Sequence, residues 1–215
     1  MDREKKLTIG LIIATTVIIF GGAFFLTKPP KEKPQEAVST ELLIRSDSQK
    51  VVAPNEKVIM VEFGDFQCPA CAAYHDLVKQ LLNENKDTLS LVFRNFPLSQ
   101  HKNARVSAYA AEAAGLQGKY WEMYDKLYEN QKDWSEKSDA MSIFVGYAKD
   151  FGLDEAKFKS DASSSEVKNK VDRDYADGVT LNVDSTPTFY VNAQKVKNPG
   201  GLEDFKTLIE KAEPK

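Results

Sequence analysis

The two cysteines of the chain are the residues best suited to chemistry. Cys68 and Cys71 are separated by two residues in the stretch "GDFQCPACAAYH". A pair at this spacing can form a structural disulfide, supply part of a metal site, or cycle between dithiol and disulfide as a redox centre. Each possibility implies a different protein, so the surrounding residues must decide between them.

A purely structural role for the two cysteines is not favoured, either as a disulfide or as part of a zinc site. In the chain-entropy model, closing a loop of four residues destabilises the unfolded chain by only about 2 kcal/mol. A structural zinc site needs four ligands, usually cysteine and histidine, and the only histidines are His75 and His101. Both would have to converge on the cysteines, because the chain has no second C-x-x-C motif. We therefore expect no metal at this pair.

The local sequence favours a redox centre. The preceding run "KVIMVEFGDF" is almost continuously apolar, which is typical of a buried strand. Pro69 then predicts the start of a helix that runs to about Asn85, because its missing N–H costs nothing in the first turn. Cys68 would lie at the helix N-terminus, where unpaired N–H groups and a partial positive charge lower a thiol pKa. A low thiol pKa favours the reduced form and makes the disulfide oxidising, and Cys71 would lie one turn away.

Three further segments predict the rest of a sheet. The segment "ELLIRSDSQKVVAP" is a candidate edge strand, and "TLSLVFRNF" alternates apolar and polar residues as a strand does. The segment "TPTFYVNAQKVKN" predicts two strands joined by a tight turn near Asn192 and Ala193. Together with the strand before Cys68, these segments predict an α/β sheet that combines a parallel βαβ unit with an antiparallel hairpin.

The remaining periodic segments predict helices. Residues from about 101 to 181 are helical in pattern, with aromatic faces that are typical of a core. A capping box, Ser163 with Glu166, predicts the start of the last helix of this block. The segment "GLEDFKTLIEKAE" closes the chain as an amphipathic helix. The sheet is therefore expected to carry a helical insertion between its two halves.

The N-terminal segment predicts attachment to a membrane. From Leu7 to Thr27, 21 residues pass without a charge, enough for a helix to span the roughly 30 Å hydrocarbon core. We expect residues 1–27 to be a cytoplasmic tip and a transmembrane anchor. The alternative is a cleaved signal peptide, whose apolar region is usually only about 7 to 15 residues. Residues 28–40 are rich in proline and charge and predict a flexible linker. With either an anchor or a signal peptide, the domain that follows the linker is expected to be exported.

Composition excludes several classes of function. Residues 36–215 hold 23 basic and 29 acidic residues, and an acidic body without a basic stripe argues against nucleic acid as a partner. No G-x-G-x-x-G, P-loop or H-E-x-x-H motif is present. We therefore expect no cofactor, and the chemistry must come from the two sulfurs.

Three segments resemble a known family. "VEFGDFQCPAC", "FRNFPLSQHKNA" and "STPTFYVN" resemble the DsbA-like thiol–disulfide oxidoreductases of the thioredoxin superfamily, most closely its membrane-tethered members. The likeness covers about residues 56 to 212. It implies a thioredoxin-like α/β domain over residues 41–215 with an all-helical insertion at about 101–181. In that fold Cys68 would be the exposed attacking cysteine and Cys71 the buried resolving one.

The resemblance assigns roles to further residues. Glu62 matches a buried acid that assists proton transfer at the inner cysteine, and a carboxyl group in an apolar strand should have a raised pKa. The alternative for Glu62 is a solvated side chain. The "STPTF" segment matches a cis-proline loop that faces the disulfide, in which the backbone of Thr186, before Pro187, pairs with an extended substrate. The alternative there is an ordinary turn before a strand.

The residues between the cysteines contain a departure from the family. Pro69 and Ala70 are expected to border the substrate-binding surface, but the most strongly oxidising members carry histidine where this chain has Ala70. Alanine offers no side-chain hydrogen bond to a thiolate, so the resemblance leaves the oxidant strength open. We expect His75 to be a surface or packing residue and His101 to be structural at the start of the insertion.

These inferences predict an extracytoplasmic oxidase. It would donate the Cys68–Cys71 disulfide to exported proteins with free thiols, and the resemblance implies that a membrane quinone-linked partner reoxidises it. One alternative is a tethered disulfide reductase or isomerase, which would use the same residues. Another is a non-catalytic, membrane-tethered binding module whose helical insertion holds a partner protein.

Overall fold

The computed structural model describes residues 38–214. The predicted anchor and residues 28–37 of the predicted linker lie outside this range. The linker prediction is wrong for its last three residues, because Val38 N donates to Ala193 O at 3.0 Å and Thr40 begins a helix. Within the range no helix is long and apolar enough to cross a membrane. The strands are β1 (Gln49–Val51), β2 (Val58–Gly64), β3 (Leu89–Asn95), β4 (Thr188–Val191) and β5 (Gln194–Val196).

The five strands form one mixed sheet in the order β1-β3-β2-β4-β5. β2 and β3 are parallel, and the other three pairings are antiparallel. A parallel pair needs a crossover connection, which the helix α2 (Pro69–Glu84) supplies. The predicted βαβ unit and hairpin are confirmed, and β2 lies at the centre of the sheet with a bonded strand on each side.

The predicted edge strand is wrong over its first half. Residues Thr40–Leu43 form a short helix, α1, and only β1 pairs with the sheet. The reason is a buried arginine from the neighbouring strand: Arg94 Nη1 donates to the carbonyl oxygens of Leu42 and Leu43 at 2.7 and 2.8 Å. The carbonyl groups at the end of this helical turn therefore have a hydrogen-bond donor from β3, which the local sequence does not predict.

The predicted helical insertion is confirmed between β3 and β4. It consists of α3 (Ala104–Gly115), α4 (Tyr120–Glu129), α5 (Gln131–Trp134), α6 (Ala140–Asp150), α7 (Glu155–Ser163) and α8 (Ser165–Thr180). Its aromatic and alanine faces are buried against one another as a core of the insertion. The aromatic side chains are thus packing residues, as their periodicity predicted.

The predicted capping box is misplaced by one residue. The N-cap of α8 is Ser164, whose Oγ accepts from Val167 N at 3.2 Å, so Glu166 is the second helical residue. Ser163 belongs to the last turn of α7, where its hydroxyl donates to Lys159 O. Because α7 and α8 follow each other directly, the first serine is used by the preceding helix.

The hairpin and the last helix agree with prediction. Asn192 and Ala193 have φ values of 46° and 64° and form the two-residue turn between β4 and β5. The last helix, α9 (Leu202–Ala212), buries Phe205 and Ile209 against the sheet core.

Candidate active site

The cysteine pair lies where the central strand meets the first long helix. Cys68 is the N-cap residue of α2, with extended backbone angles, and Pro69 is its first helical residue. Cys71 therefore lies one turn into the helix. The expectation that Cys68 is exposed is wrong, because its side chain is buried with 7% exposure, whereas Cys71 is fully buried as expected. Both are free thiols, so the structure describes the reduced form.

A buried aspartate holds the loop between β2 and α2. Asp65 Oδ1 accepts from Gln67 N at 2.8 Å, and its Oδ2 accepts from Leu98 N at 3.0 Å. The same Oδ2 lies 2.7 Å from Nδ1 of His101. His101 is therefore structural at the start of the insertion, as predicted. Sequence reasoning did not single out Asp65; its position directly after a buried strand was the available signal.

Two glutamines bind the active-site loop to the insertion. Gln67 Nε2 donates to Ser135 O at 2.7 Å, while its Oε1 accepts from Asn103 N at 2.6 Å. Gln131 Nε2 donates to the carbonyl oxygens of Phe66 and Cys68 at 2.7 and 3.0 Å. The carbonyl of Cys68 is thus held by a residue more than sixty positions away, a contact that sequence reasoning missed.

The environment of Cys68 stabilises its thiolate. The pKa of Cys68 is lowered to about 5, chiefly by the hydrogen bond from the Cys71 thiol. The backbone N–H groups of Cys71 and Ala70 also lower it, and together these effects outweigh burial. In the thiol form, Cys68 Sγ donates to Thr186 O at 3.4 Å. The predicted low pKa at the helix N-terminus is thus supported by named donors.

The environment of Cys71 has the opposite effect. Burial raises the pKa of Cys71 well above its usual value, and the neighbouring Cys68 and Glu62 raise it further. At neutral pH the outer sulfur is therefore ionised while the inner one keeps its proton. Cys68 is therefore suited to react as a thiolate, whereas Cys71 is suited to remain a thiol until its proton is removed.

Glu62 lies within the sheet beside the cysteines. It is 1% exposed, and in the sheet it lies between Phe93 of β3 and Phe189 of β4. Burial raises the pKa of Glu62 to about 8, and the nearby Cys68 adds to the rise. Tyr124, from α4, donates its hydroxyl to Glu62 Oε2 at 3.5 Å. The predicted raised pKa is confirmed, and burial excludes the solvated alternative.

The proline loop faces Cys68. The peptide bond between Thr186 and Pro187 is cis. Asn198 Nδ2 donates to Pro187 O at 2.8 Å and holds this loop from the segment after β5. Within residues 38–214, Thr186 Oγ1 is buried without a hydrogen-bond acceptor or donor. Pro69 and Ala70 are exposed beside the loop, so the structure brings together all seven predicted site residues.

His75 packs against α4 rather than facing the cysteines. It is 3% exposed, so the surface alternative is wrong and the packing one is confirmed. Its Nε2 lies 2.8 Å from Asp125 Oδ1, and its ring lies 5.3 Å from that of Tyr128. His75, Asp125 and Glu129 could together offer ligands to a metal. However, Lys79 Nζ already bonds both carboxylates, at 2.9 and 3.0 Å, and offsets one of their two negative charges.

Comparison with known proteins gives matches over most of the chain. Residues 52–211 match the thioredoxin family. A probable disulfide bond formation protein D from Bacillus cereus is 31% identical over 220 residues, which cover 98% of each chain. A Na(+)/H(+) antiporter NhaA 1 from Mycolicibacterium vanbaalenii is 33% identical over 207 residues. That match covers 92% of this chain but 32% of the antiporter, so the chain spans about a third of such relatives.

The solved structures give the same fold. BdbD from Bacillus subtilis, in its oxidised form, superposes with a TM-score of 0.69 at 23% sequence identity. The match covers 85% of this chain and 98% of that one. The helical insertion is therefore part of a shared architecture and not an addition peculiar to this chain.

Proposed function

The chain belongs to the thioredoxin family and, within it, to the DsbA-like protein disulfide oxidoreductases, and on this premise we propose that it is an extracytoplasmic dithiol oxidase. Its substrates are exported proteins with free thiols. The observation that carries the proposal is the contrast between the two cysteines: the pKa of Cys68 is lowered to about 5, whereas that of Cys71 is raised.

The proposed reaction moves two electrons from the substrate to the cysteine pair. A substrate thiolate attacks Cys68 Sγ, a mixed disulfide forms, and the bond to Cys71 breaks. A second substrate thiolate then attacks the substrate sulfur of the mixed disulfide, and Cys68 leaves as a thiolate. The substrate gains a disulfide and the enzyme becomes a dithiol. A sulfur with a low pKa is the better leaving group in this second step.

The low pKa of Cys68 also supports the oxidase direction of the reaction. At pH 7 a thiol with a pKa near 5 is ionised, whereas an ordinary thiol is not. The difference stabilises the reduced enzyme by roughly 2–3 kcal/mol, on the order of 50 mV in reduction potential. Backbone and cysteine donors supply this stabilisation, so Ala70 in place of histidine does not remove it.

Glu62 is the proposed proton donor and acceptor for Cys71. Its pKa of about 8 leaves the carboxyl group protonated at neutral pH. It can therefore give a proton to Cys71 when that sulfur leaves, and take one back when the enzyme is reoxidised. An ordinary carboxylate, already ionised at pH 7, could not supply this proton.

Substrate binding is proposed at the proline loop. The carbonyl oxygen of Thr186 already accepts from the Cys68 thiol, so it lies where an extended chain bound to Cys68 would pass. Main-chain hydrogen bonds to such a chain tolerate many sequences. Pro187, Pro69 and Ala70 border the same opening and present no charge to a substrate.

The cellular setting follows from the N-terminal sequence. The uncharged stretch of residues 7–27 supports a single membrane anchor, with residues 28–37 as the linker and the domain outside the cytoplasm. A membrane quinone-linked partner is the proposed reoxidant, because the chain carries no cofactor motif of its own.

The reduction potential of the full-length chain, equilibrated with glutathione in detergent, tests the direction of electron flow. A value near about −120 mV, the figure for a strong oxidase of this family, is expected. A value near about −270 mV, as in thioredoxin, would overturn the oxidase and identify a tethered reductase.

The Cys68→Ser variant tests whether the function is redox chemistry at all. Disulfide formation in a reduced substrate protein should be lost in this variant. If the full function in cells survives the substitution, the chain is a binding module and the oxidase proposal is wrong. Isomerase activity is tested in the same assay with a substrate whose disulfides are already mispaired.

A further inference from the structure

Two tyrosines of the insertion cover the face of β2 that carries Glu62. Side chains two residues apart on a strand point to the same face, so Glu62 and Gly64 share one. Tyr124 reaches Glu62, with 3.5 Å between the hydroxyl and Oε2. A Cβ on Gly64 would lie 3.1 Å from the hydroxyl of Tyr128. The tyrosines, four residues apart on α4, therefore place their hydroxyls over successive positions of the central strand.

The two hydroxyls differ in what they contact. Within residues 38–214, the side-chain hydrogen bond that Glu62 accepts is donated by the hydroxyl of Tyr124. The hydroxyl of Tyr128 is buried and, within the same range, has no hydrogen-bond partner. Their rings are packed edge to face, 5.1 Å apart between centroids. The pair thus offers one bonded and one unbonded hydroxyl in nearly the same surroundings.

We propose that Tyr124 is a positioning residue: its hydroxyl donates to the ionised carboxylate of Glu62 and so sets the pH at which Glu62 exchanges a proton with Cys71. The helical insertion would then control the proton step of the redox centre. The inference rests on the proposed function only for the partnership of Glu62 with Cys71.

Burial and one hydrogen-bond donor act on the carboxyl group of Glu62 in opposite directions. Burial disfavours the charged carboxylate, whereas a hydrogen bond donated to it favours the charged form. Tyr124 lowers the pKa of Glu62, but by less than burial raises it. The other titratable groups around this site come from the two helices packed on it: Cys68, Cys71, His75, Tyr120, Asp125 and Tyr128. Within residues 38–214 none of these groups donates a hydrogen bond to Glu62, so loss of the Tyr124 hydroxyl should leave the carboxylate without a side-chain donor from this part of the chain.

The direct test is the titration of Glu62 in the reduced, full-length protein. Carbon-13 NMR of the Glu62 carboxyl group would be followed from pH 5 to 10 in the wild type, in Tyr124→Phe and in Tyr128→Phe. Tyr124→Phe should move the midpoint upward by about one unit, a tenfold change in proton affinity. Tyr128→Phe is the matched control, since it removes an unbonded hydroxyl from the same helix, and should leave the midpoint unchanged.

The rate at which Cys71 attacks a mixed disulfide tests whether Glu62 takes the proton from Cys71. In the mixed disulfide of Cys68 with glutathione, the Cys71 thiolate attacks Cys68 Sγ and releases glutathione. With Glu62 as the base, this release should be several-fold slower in Tyr124→Phe at pH 7 and equal to wild type near pH 10. A purely structural defect would lower the rate at every pH.

The outcomes separate this inference from the proposed function. An unchanged midpoint in Tyr124→Phe, or equal shifts in both variants, would overturn it. If Tyr124→Phe does not fold, 3,5-difluorotyrosine at position 124 is the second test, because its more acidic hydroxyl should move the midpoint downward. A reduction potential like that of thioredoxin would overturn the oxidase but would leave these titration shifts in place.

Discussion

At the residue scale, the two cysteines differ only in surroundings. Cys68 ends the loop and meets backbone N–H groups at a helix start, whereas Cys71 lies inside the first turn against apolar side chains. The hydrogen bond between them acts in opposite directions on the two sulfurs, lowering the pKa of Cys68 and raising that of Cys71. This single hydrogen bond therefore widens the difference in pKa between the two cysteines from both sides.

The Cys68 thiolate predicts a stability that depends on pH. Its pKa is lowered in the folded, reduced protein, so the stabilisation is complete above the pKa of an unfolded thiol, about 8.5. It is lost as the pH falls through about 5. The free energy of unfolding of the reduced protein, relative to Cys68→Ser, should therefore fall by a few kcal/mol from pH 9 to pH 4.

Thiolate absorbance near 240 nm provides the accompanying check. It should titrate with a midpoint near 5 in the reduced wild type, and this transition should be absent in Cys68→Ser. A first midpoint near 9 would contradict the assigned environment of Cys68.

The raised pKa of Glu62 should make the free energy of unfolding depend on pH in the opposite direction. Its pKa is raised to about 8 in the folded protein, against about 4.3 in an unfolded chain. The folded state therefore binds the proton more tightly, and stability declines as the pH rises from about 4 through 8. Glu62→Gln should match wild type near pH 4 and should exceed it by a few kcal/mol at pH 9. Urea unfolding of both proteins across this range measures the gap, and a gap independent of pH would refute the assignment.

At the scale of elements, close packing of α8 on the sheet depends on a glycine. A Cβ at Gly178 would lie 2.6 Å from the ring of Phe96 and 3.1 Å from that of Phe63. Phe96 is itself buried and stacked on Tyr175, with 4.7 Å between centroids. The ring therefore has little room to move, and the helix axis approaches the strand ends only because position 178 has no side chain.

Two helical glycines predict opposite effects of the same substitution. Gly178→Ala should destabilise the protein by about 1–3 kcal/mol, because it overpacks a filled site. In contrast, a Cβ at Gly146 in α6 meets nothing within 4 Å. Gly146→Ala should stabilise by about 0.5–1 kcal/mol through helix propensity. Thermal unfolding of both variants checks the pair, and stabilisation by Gly178→Ala would show that α8 can move away from the sheet.

At the scale of the whole domain, a buried ionic network joins segments that are far apart in sequence. Arg94 of β3 is fully buried and bonds Asp174 at 2.8 Å and Asp177 at 2.5 Å, both on α8. Arg45, just after α1, bonds Asp177 at 2.6 Å. Lys170 joins Asp174 to the buried Glu112 of α3. The network therefore ties the first helix, the sheet and the insertion together.

Removal of the central arginine should loosen all three. Arg94→Met leaves two buried carboxylates with fewer partners, which typically costs about 3–5 kcal/mol. Amide hydrogen exchange in α1 should also become faster, because Arg94 holds two of its carbonyl groups. Arg173→Met is the control: this arginine pairs with Asp47 in an exposed ion pair, which is worth about 0–1 kcal/mol. Equal losses in the two variants, measured by urea unfolding, would show that the buried network contributes no more than a surface pair.

Much of the site could be predicted from sequence because its signals are local. An apolar run, two cysteines two residues apart and a proline in the first turn predict a strand, a helix start and a thiol at that start. The turn at Asn192 and Ala193 and the helical periods are equally local. The same local reasoning was wrong for residues 40–43 and misplaced the cap of α8, because Arg94 and the end of α7 act there from outside the pattern.

The chemistry of the site was decided by tertiary contacts. The Cys68 thiol meets Thr186, Gln131 binds the carbonyl of Cys68, and Tyr124 reaches Glu62 across gaps of about sixty residues or more. A pKa depends on burial and on donors within a few ångströms, and those neighbours come from different segments of the chain. The sequence alone therefore determined which residues could react. The fold determined which sulfur ionises, how strongly Glu62 holds its proton, and which helix places a hydroxyl against it.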